Sequence, residues 1–534
     1  MTKLLTPAQV KAGLHDGEEI ALLDVREQGQ FGEAHLFYAV PLPYSRIELD
    51  APRLVPRRST RVVVYDDGSA DGNNGGTCGV AERAATRLAA MGYTGVHLLA
   101  GGSAAWAAAG LRLFQGVNLP SKTFGELVEQ QLHTPRIAAA ELARRQAAGD
   151  KLVVLDGRPF GEYRKMNIPG AICCPNGELV LRIGELAPDP TTTVVINCAG
   201  RTRSIIGAQT LINFGIPNPV LALENGTQGW YLADFELQHG STRRHGDNAA
   251  PVDLIERRAR AAALAVRHGV PTVDAEQARR WLADPTRNCF VLDVRTAEEF
   301  AAGTLAGAQH APGGQLLQAT DQYVGVRHAR LLLADSDGVR APVVASWLRQ
   351  MGWDASVLRD GIAAPLSLPA AEPCLAEPLQ PLEFVDAATL ATELDARRVA
   401  AIDLRPGMAY RGAHVPRSTW SIRPRLATDA KALGRPVVLI ADEPALAQLA
   451  AVDLQQAGLP APRLLAGGLQ AWRDAGLPVE ASPGVPSDTD CIDYLFFVHD
   501  RHDGNKDAAR RYLSWETGLI AQLDEQERSA LRIA

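Results

Sequence analysis

The sequence predicts an α/β protein of four tandem domains, each a central parallel sheet covered by helices on both faces. Three observations carry this. Strand-like apolar runs alternate with helical patterns, one order of landmarks recurs four times, and 534 residues exceed a single ordinary core. Short strands alternating with helices build βαβ units, whose crossovers bury both faces of a parallel sheet.

The first landmark is an apolar strand ending in Asp-x-Arg: Asp24-Val25-Arg26, Asp156-Gly157-Arg158, Asp293-Val294-Arg295 and Asp403-Leu404-Arg405. An aromatic follows in each copy (Phe31, Tyr163, Phe300, Tyr410), then a turn, clearest as Ile168-Pro169-Gly170-Ala171 and Val415-Pro416-Arg417-Ser418. A second apolar strand covers 62–65, 194–197, 331–334 and 437–441. Each copy closes on a helix, a short strand and a glycine-led end, as in Gly101-Gly102-Ser103-Ala104-Ala105-Trp106 and Gly467-Gly468-Leu469-Gln470-Ala471-Trp472. The expected domains are 1–118, 121–245, 250–370 and 380–484, with boundaries where Pro, Gly and charged residues cluster. Residues 485–534 match no repeat and read as a C-terminal tail with a helical arm; its charged stretch, 499–506, is either a solvated loop or a segment docked over a neighbouring domain.

Composition narrows the function classes. A hydrophobic fraction of 46% and a charged fraction of 22% describe a soluble globular chain. A net charge of −7 argues against nucleic acid or an anionic membrane as partner. The start lacks an apolar signal core, and no apolar run reaches membrane-spanning length, so the expected location is cytoplasmic. The seven cysteines are few, odd in number and irregularly spaced, which suits free thiols in a reducing compartment. No Cys-x-x-Cys pair or Cys/His cluster has metal-ligand spacing, so neither a metal nor a cofactor is expected.

Cys198 differs from the other six. The strand 194–197 runs into Cys198-Ala199-Gly200-Arg201-Thr202-Arg203-Ser204, and a helical pattern starts at Ser204. A thiol at a helix N-terminus, among backbone N–H groups and fixed cations, is favoured as thiolate. Gly200 lets the loop turn its amides inward without Cβ crowding. Arg201 and Arg203 are candidates to clamp a small anionic donor, since the planar guanidinium matches an oxyanion bidentately. Thr202 and Ser204 offer hydroxyls to the sulfur or, for Ser204 above all, a helix cap. Asp156 and Arg158 are expected to pair structurally, because the motif recurs in every copy. Cys173 and Cys174 read as buried small hydrophobes, with a resolving thiol as the alternative.

Counting from the strand end to the glycine that closes the next helix gives 17 residues from Cys198 to Gly215 and from Asp335 to Gly352. Asp66 and Asp442 stand at the ends of the corresponding strands, with steps of 26 to Gly92 and 16 to Gly458. The extra length in the first copy falls in a Gly/Asn-rich loop carrying Cys78, read as an incidental cysteine. Asp66, Asp335 and Asp442 are expected to cap helix starts by accepting backbone N–H bonds, and a carboxylate cannot carry a transferable sulfur. Domains one, three and four are therefore expected to be inactive and domain two active.

These landmarks resemble the rhodanese-like sulfurtransferase family: Asp-x-Arg, the Ile-Pro-Gly-Ala turn, the strand-Cys-loop-helix and the Gly-Gly-x-x-x-Trp end, over about nine-tenths of the chain. The resemblance implies an enzyme that takes a sulfane sulfur from a small anionic donor, thiosulfate first, as a Cys198 persulfide. It passes that sulfur to cyanide, a thiol or a protein acceptor. It also implies that Arg158 can face the pocket, while Asn167 stands where the family often has histidine, leaving no general base in the loop. The alternatives are a multidomain binding scaffold or sulfur carrier for a partner protein and, further off, a rhodanese-like phosphatase. The phosphatase loop is similar to Cys-x5-Arg, whereas Arg203 is already the fifth residue after Cys198.

Overall fold

The computed structural model describes residues 3–68, 79–246, 253–368, 379–502 and 504–533. It contains four five-stranded sheets, all parallel, each laid out 1-5-4-2-3 in its own chain order. The repeat in sequence is thus a repeat of topology, and the α/β class of four tandem domains holds. In the second domain the order is Arg136–Ile137, Val220–Leu223, Thr193–Asn197, Leu152–Asp156, Ile172–Cys173. Thr193–Asn197, central and buried at every residue, delivers Cys198 to the C-terminal edge of the sheet, where open α/β sheets place their ligands.

The Asp-x-Arg motif does the same work four times. Arg158 Nε donates to Asp156 Oδ1 at 2.8 Å, and its Nη2 reaches Met166 O at 2.6 Å. Arg26, Arg295 and Arg405 likewise hold Asp24, Asp293 and Asp403 and donate to the carbonyls of Ala34, Gly303 and Ala413. Each arginine ties the strand end to the end of the following helix, satisfying a carboxylate that burial would otherwise penalise. Arg158 is 1% exposed with its Nε and Nη2 spent on Asp156 and Met166 O, so it braces the strand end rather than lying open to a pocket as the resemblance implied.

The chain divides into two units. Met1–Ala12, Ala21–Gly116 and Pro373–Phe496 form the first, which holds the first and fourth sheets. Within it, buried Arg423 bonds Glu48 and Asp453 at 2.7 Å each, and Asp453 also accepts from Arg87 and Tyr44. Gly13–Ile20, Val117–Glu372 and Phe497–Ala534 form the second, which holds the second and third sheets and the helical arm Lys506–Thr517. Here Arg340 reaches Glu178 at 2.8 Å, Trp347 Nε1 donates to Thr210 Oγ1 at 2.8 Å, and Gly177 packs on Gly313 and Gly314. The tail read as one piece from 485 is therefore shared between the units at Phe496.

Sheet register corrects one assignment. Asp24, Asp156, Asp293 and Asp403 pair with Tyr65, Asn197, Ala334 and Ile440. The residues that follow are Asp66, Cys198, Asp335 and Ala441. The fourth domain thus has alanine at the cysteine position, with Asp442 one residue beyond, and a 17-residue step from Ala441 to Gly458 restores the common spacing.

Candidate active site

Cys198 is 2% exposed at the start of a loop pinned from one side. Its carbonyl accepts from Thr227 N at 2.8 Å, and that of Ala199 accepts from Gln228 N at 3.1 Å. A trans peptide holds N–H opposite C=O, so the amides of Ala199 and Gly200 are turned the other way, into the loop. Among the described residues, none accepts a hydrogen bond from the amides of Ala199, Gly200, Arg201, Thr202, Arg203 or Ser204. Inward amides at the start of the helix Thr202–Phe214 form a cradle for negative charge. Close approach of the glycine at the next helix start makes this possible. Gly226 has φ +56°, and a Cβ there would stand 2.3 Å from Cys198 O.

The first and third domains fill the same loop with their own carboxylates. Asp66 accepts from the amides of Gly68 and Ala81 at 2.9 and 3.0 Å. Asp335 accepts from Gly338 and Ala341 at 2.9 and 2.8 Å, and Asp337 takes the amides of Val339 and Arg340. These are bonds of the helix-start kind expected of both aspartates. Burial and the neighbouring Asp337 charge push the Asp335 carboxyl up. Cys78 lies outside the described residues.

Around Cys198 the predicted donor clamp is arranged differently. Arg201 gives its Nε and Nη2 to Glu126 at 2.7 and 2.9 Å, also binds Glu129, and reaches Asn225 Oδ1 through Nη1 at 3.3 Å, so its guanidinium is engaged by the helix Leu119–Leu132 and by Asn225. Arg203 grips both oxygens of Glu162 at 2.8 Å and reaches Gln315 at 3.2 Å. Burial works against the Arg203 cation, but Glu162 and then Cys198 favour it, and the net shift is upward. Burial raises the Glu162 carboxyl, yet Arg203 outweighs it and brings the group down to about 2. Thr202 Oγ1 donates to Glu516 at 2.9 Å rather than to sulfur. Ser204 caps nothing: the N-cap is Arg201, and the buried Ser204 hydroxyl has no partner among the described residues. Gly200 also lies under Glu516, whose Oε2 would be 3.0 Å from a Cβ there and would have to give way by a few tenths of an ångström.

Asn167 is structural, with Nδ2 donating to Tyr163 O at 3.1 Å, just as His35 and His414 bond Phe31 O and Tyr410 O in their own domains. Cys173 donates to Arg158 O at 3.5 Å, and burial pushes its thiol up to about 12; burial also raises the thiol of fully buried Cys174. Because the strand Leu152–Asp156 lies between Ile172–Cys173 and Thr193–Asn197, Cys173 and Cys198 are two strand spacings apart, about 9–10 Å. That separation is too wide for a disulfide.

Sequence reasoning missed the buried roof of the site. Lys122 Nζ lies 3.1 Å from Glu516 Oε1 and hydrogen-bonds Tyr512, joining the helix Leu119–Leu132 to the arm Lys506–Thr517 over the loop. Among the described residues no group of His, Cys, Asp and Glu is arranged to hold a metal ion, and no helix is long and apolar enough to cross a membrane.

Comparison with known proteins agrees with this architecture. The rhodanese-like domain family matches residues 6–109, 138–233 and 274–365. The chain belongs to the rhodanese-like domain family and is a rhodanese-type enzyme. It is similar to the thiosulfate sulfurtransferase of Pseudomonas aeruginosa: 42% identity, TM-score 0.89, 100% of this chain and 99% of that one. A curated relative, an HTH-type transcriptional regulator of Mycobacterium tuberculosis, is 35% identical over 111 residues, 21% of this chain; the match spans about half (48%) of that regulator's length.

Proposed function

We propose that this chain is a sulfurtransferase in which Cys198 takes the outer sulfur of a small anionic donor, thiosulfate foremost, and yields it to cyanide or a thiol. The Cys198 thiolate attacks the outer sulfur, the S–S bond of thiosulfate breaks, and sulfite leaves with the bonding pair. An acceptor nucleophile then attacks the terminal sulfur and releases Cys198 as thiolate. The observation that carries this reading is the loop after Cys198, where the amides of residues 199–204 have no acceptor among the described residues while Asp66 and Asp335 accept loop and helix-start amides with their own carboxylates. Such a cradle suits the negative terminal sulfur of a persulfide, and the unpartnered Ser204 hydroxyl adds a donor. Arg203, whose cation Cys198 favours, supplies fixed positive charge beside the thiolate. The domains without a cysteine at the strand end are assigned a framing role, and a cytoplasmic site of action with a thiol or protein acceptor fits the free cysteines among the described residues.

Intact mass after incubation with thiosulfate tests the reading. The expected result is a gain of one sulfur atom, removed by reductant and absent in Cys198→Ser. No adduct with any sulfane donor would leave the binding scaffold, and hydrolysis of an aryl phosphate in its place would favour the phosphatase.

A further inference from the structure

Two equivalent arginines cross between the second and third domains, which share one unit. Arg203 and Arg340 are each the fifth residue after a strand end, Cys198 in one domain and Asp335 in the other. Each grips both oxygens of a glutamate of its own domain, Glu162 at 2.8 Å and Glu299 at 2.6 and 2.7 Å. Each then reaches across with Nη1, Arg203 to Gln315 Oε1 at 3.2 Å and Arg340 to Glu178 Oε1 at 2.8 Å. Positions 178 and 315 are themselves equivalent, separated by 137 residues like Cys198 and Asp335, and so are Thr210 and Trp347, which bond each other. The contact is reciprocal, as in a two-fold pair: each domain offers the same position to the other's arginine.

The reciprocity breaks at one chemical point. Arg340 stands beside Asp335 rather than a thiol, and it meets three carboxylates, Glu178, Glu299 and Asp337, at 2.8, 2.6 and 2.8 Å. Arg203 meets the single carboxylate of Glu162. Gly200 replaces Asp337 at the equivalent position, and Gln315 replaces Glu178. The other charged groups around the loop are paired among themselves: Arg201 with Glu126 and Glu129, Lys122 with Glu516, Arg158 with Asp156. Arg501 adds positive charge toward Glu162 and Glu516. A thiolate beside Arg203 shares that cation with the carboxylates around it, and a further negative charge there disfavours the ionised thiol. An amide oxygen holds the guanidinium in place and leaves its charge to the sulfur.

We propose that Gln315 of the third domain is a positioning residue for Cys198: its neutral amide oxygen fixes Arg203 across the domain boundary without competing for the charge that favours the thiolate. The inference rests on the sulfurtransferase reading and deepens it, because the third domain then shares in the site. Gln315 acts through Arg203 and does not touch sulfur. The cation it holds faces negative charge both before and after sulfur transfer, first on the thiolate and then on the persulfide, so it needs no rearrangement between the two states.

The test compares wild type, Gln315→Glu and Gln315→Ala as full chains. Alkylation of Cys198 by iodoacetamide is followed against pH by peptide mass, persulfide formation from thiosulfate in a single turnover by quenched intact mass, and the fold by thermal unfolding. Gln315→Glu copies the Glu178–Arg340 contact, so it should melt no lower than wild type. Its alkylation midpoint should nevertheless move up by about 0.5–1 pH unit, and its persulfide rate at pH 7 should fall about 3–10-fold. Gln315→Ala should keep the wild-type midpoint and lose persulfide rate several-fold at every pH, since Arg203 is no longer held. A purely structural Gln315 predicts an unmoved midpoint in Gln315→Glu, and that result would overturn the assignment, as would a wild-type persulfide rate in Gln315→Ala. The alanine variant decides the matter if the glutamate variant does not fold. If wild type takes no sulfur from thiosulfate, the sulfurtransferase reading fails first, and the alkylation midpoint still reports whether Gln315 governs the thiol through Arg203.

Discussion

Replacing Gly226 by alanine perturbs the Cys198 loop without touching the thiol. A Cβ at this φ +56° position would stand 2.3 Å from Cys198 O and 2.7 Å from Gly200 O. Both are backbone atoms, so relief requires the loop or the helix start to move by about 1 Å to reach ordinary contact distance. The left-handed conformation adds about 1–2 kcal/mol for alanine. Misplacing a reacting group by about 1 Å can slow its reaction about 100-fold, equivalent to about 2.7 kcal/mol of barrier. Gly468→Ala in the fourth domain is the matched control, because its φ is +57° but its nearest atom, Ala441 O, is 3.1 Å away. Single-turnover persulfide formation and thermal unfolding are measured on both. Each variant should lose about 1–2 kcal/mol of stability from backbone strain, while Gly226→Ala alone transfers sulfur slowly. A wild-type rate in Gly226→Ala, or equal slowing in the two variants, would refute the link between glycine approach and loop geometry.

Three further outcomes are expected. With thiols raised to about 12, Cys173, Cys289 and Cys491 should resist iodoacetamide at pH 8, where only about one in 10⁴ of each is ionised; peptide mapping that finds Cys173 labelled as fast as Cys198 would contradict this. Asp335→Cys alone should form no persulfide with thiosulfate, because Asp337 still occupies the amides of Val339 and Arg340; adding Asp337→Gly should allow one. Equal loading of the single and double variants would show that the internal carboxylate does not matter. Burial lowers the His35 pKa to about 3, so below about 6.5 the unfolded chain takes up a proton that the folded chain refuses, and stability falls as pH drops from 6.5 toward 3. At pH 5 the loss is about 2 kcal/mol, read from urea midpoints at pH 7 and 5, and a His35→Gln variant should lack that share of the pH dependence.

The fold was legible because its determinants are local and repeated. Asp-x-Arg is a contact between residues two apart, closed onto a carbonyl eight residues on, and the same bonds recur in every domain. The position of Cys198 was legible for the same reason, as a strand end followed by a helix start. The fourth domain was misaligned because an aspartate was matched to an aspartate, when the 17-residue step already singled out Ala441. The partners of the loop arginines were not legible. Glu126 and Glu162 lie 75 and 41 residues from Arg201 and Arg203, and nothing in their neighbourhoods marks them as site residues. Glu516 is 314 residues from Thr202. The only available signal was a charged segment followed by Tyr512 and Trp515 in a tail that matched no repeat.

The unfilled amides of residues 199–204 have an energetic consequence for the whole second domain. Buried donors without acceptors weaken the fold, each by about 1–3 kcal/mol when nothing, water included, replaces the missing partner. In the third domain carboxylate oxygens relieve that penalty permanently. On the proposed sulfurtransferase reading, the relieving anion in the second domain is the persulfide sulfur, so turnover and folding share one free-energy account. The sulfur-loaded protein should melt higher than the same protein stripped by cyanide, and the difference should vanish in Cys198→Ser. A resting enzyme in a sulfur-poor medium would then be the state most readily unfolded at this loop, and cargo would act as its own stabiliser.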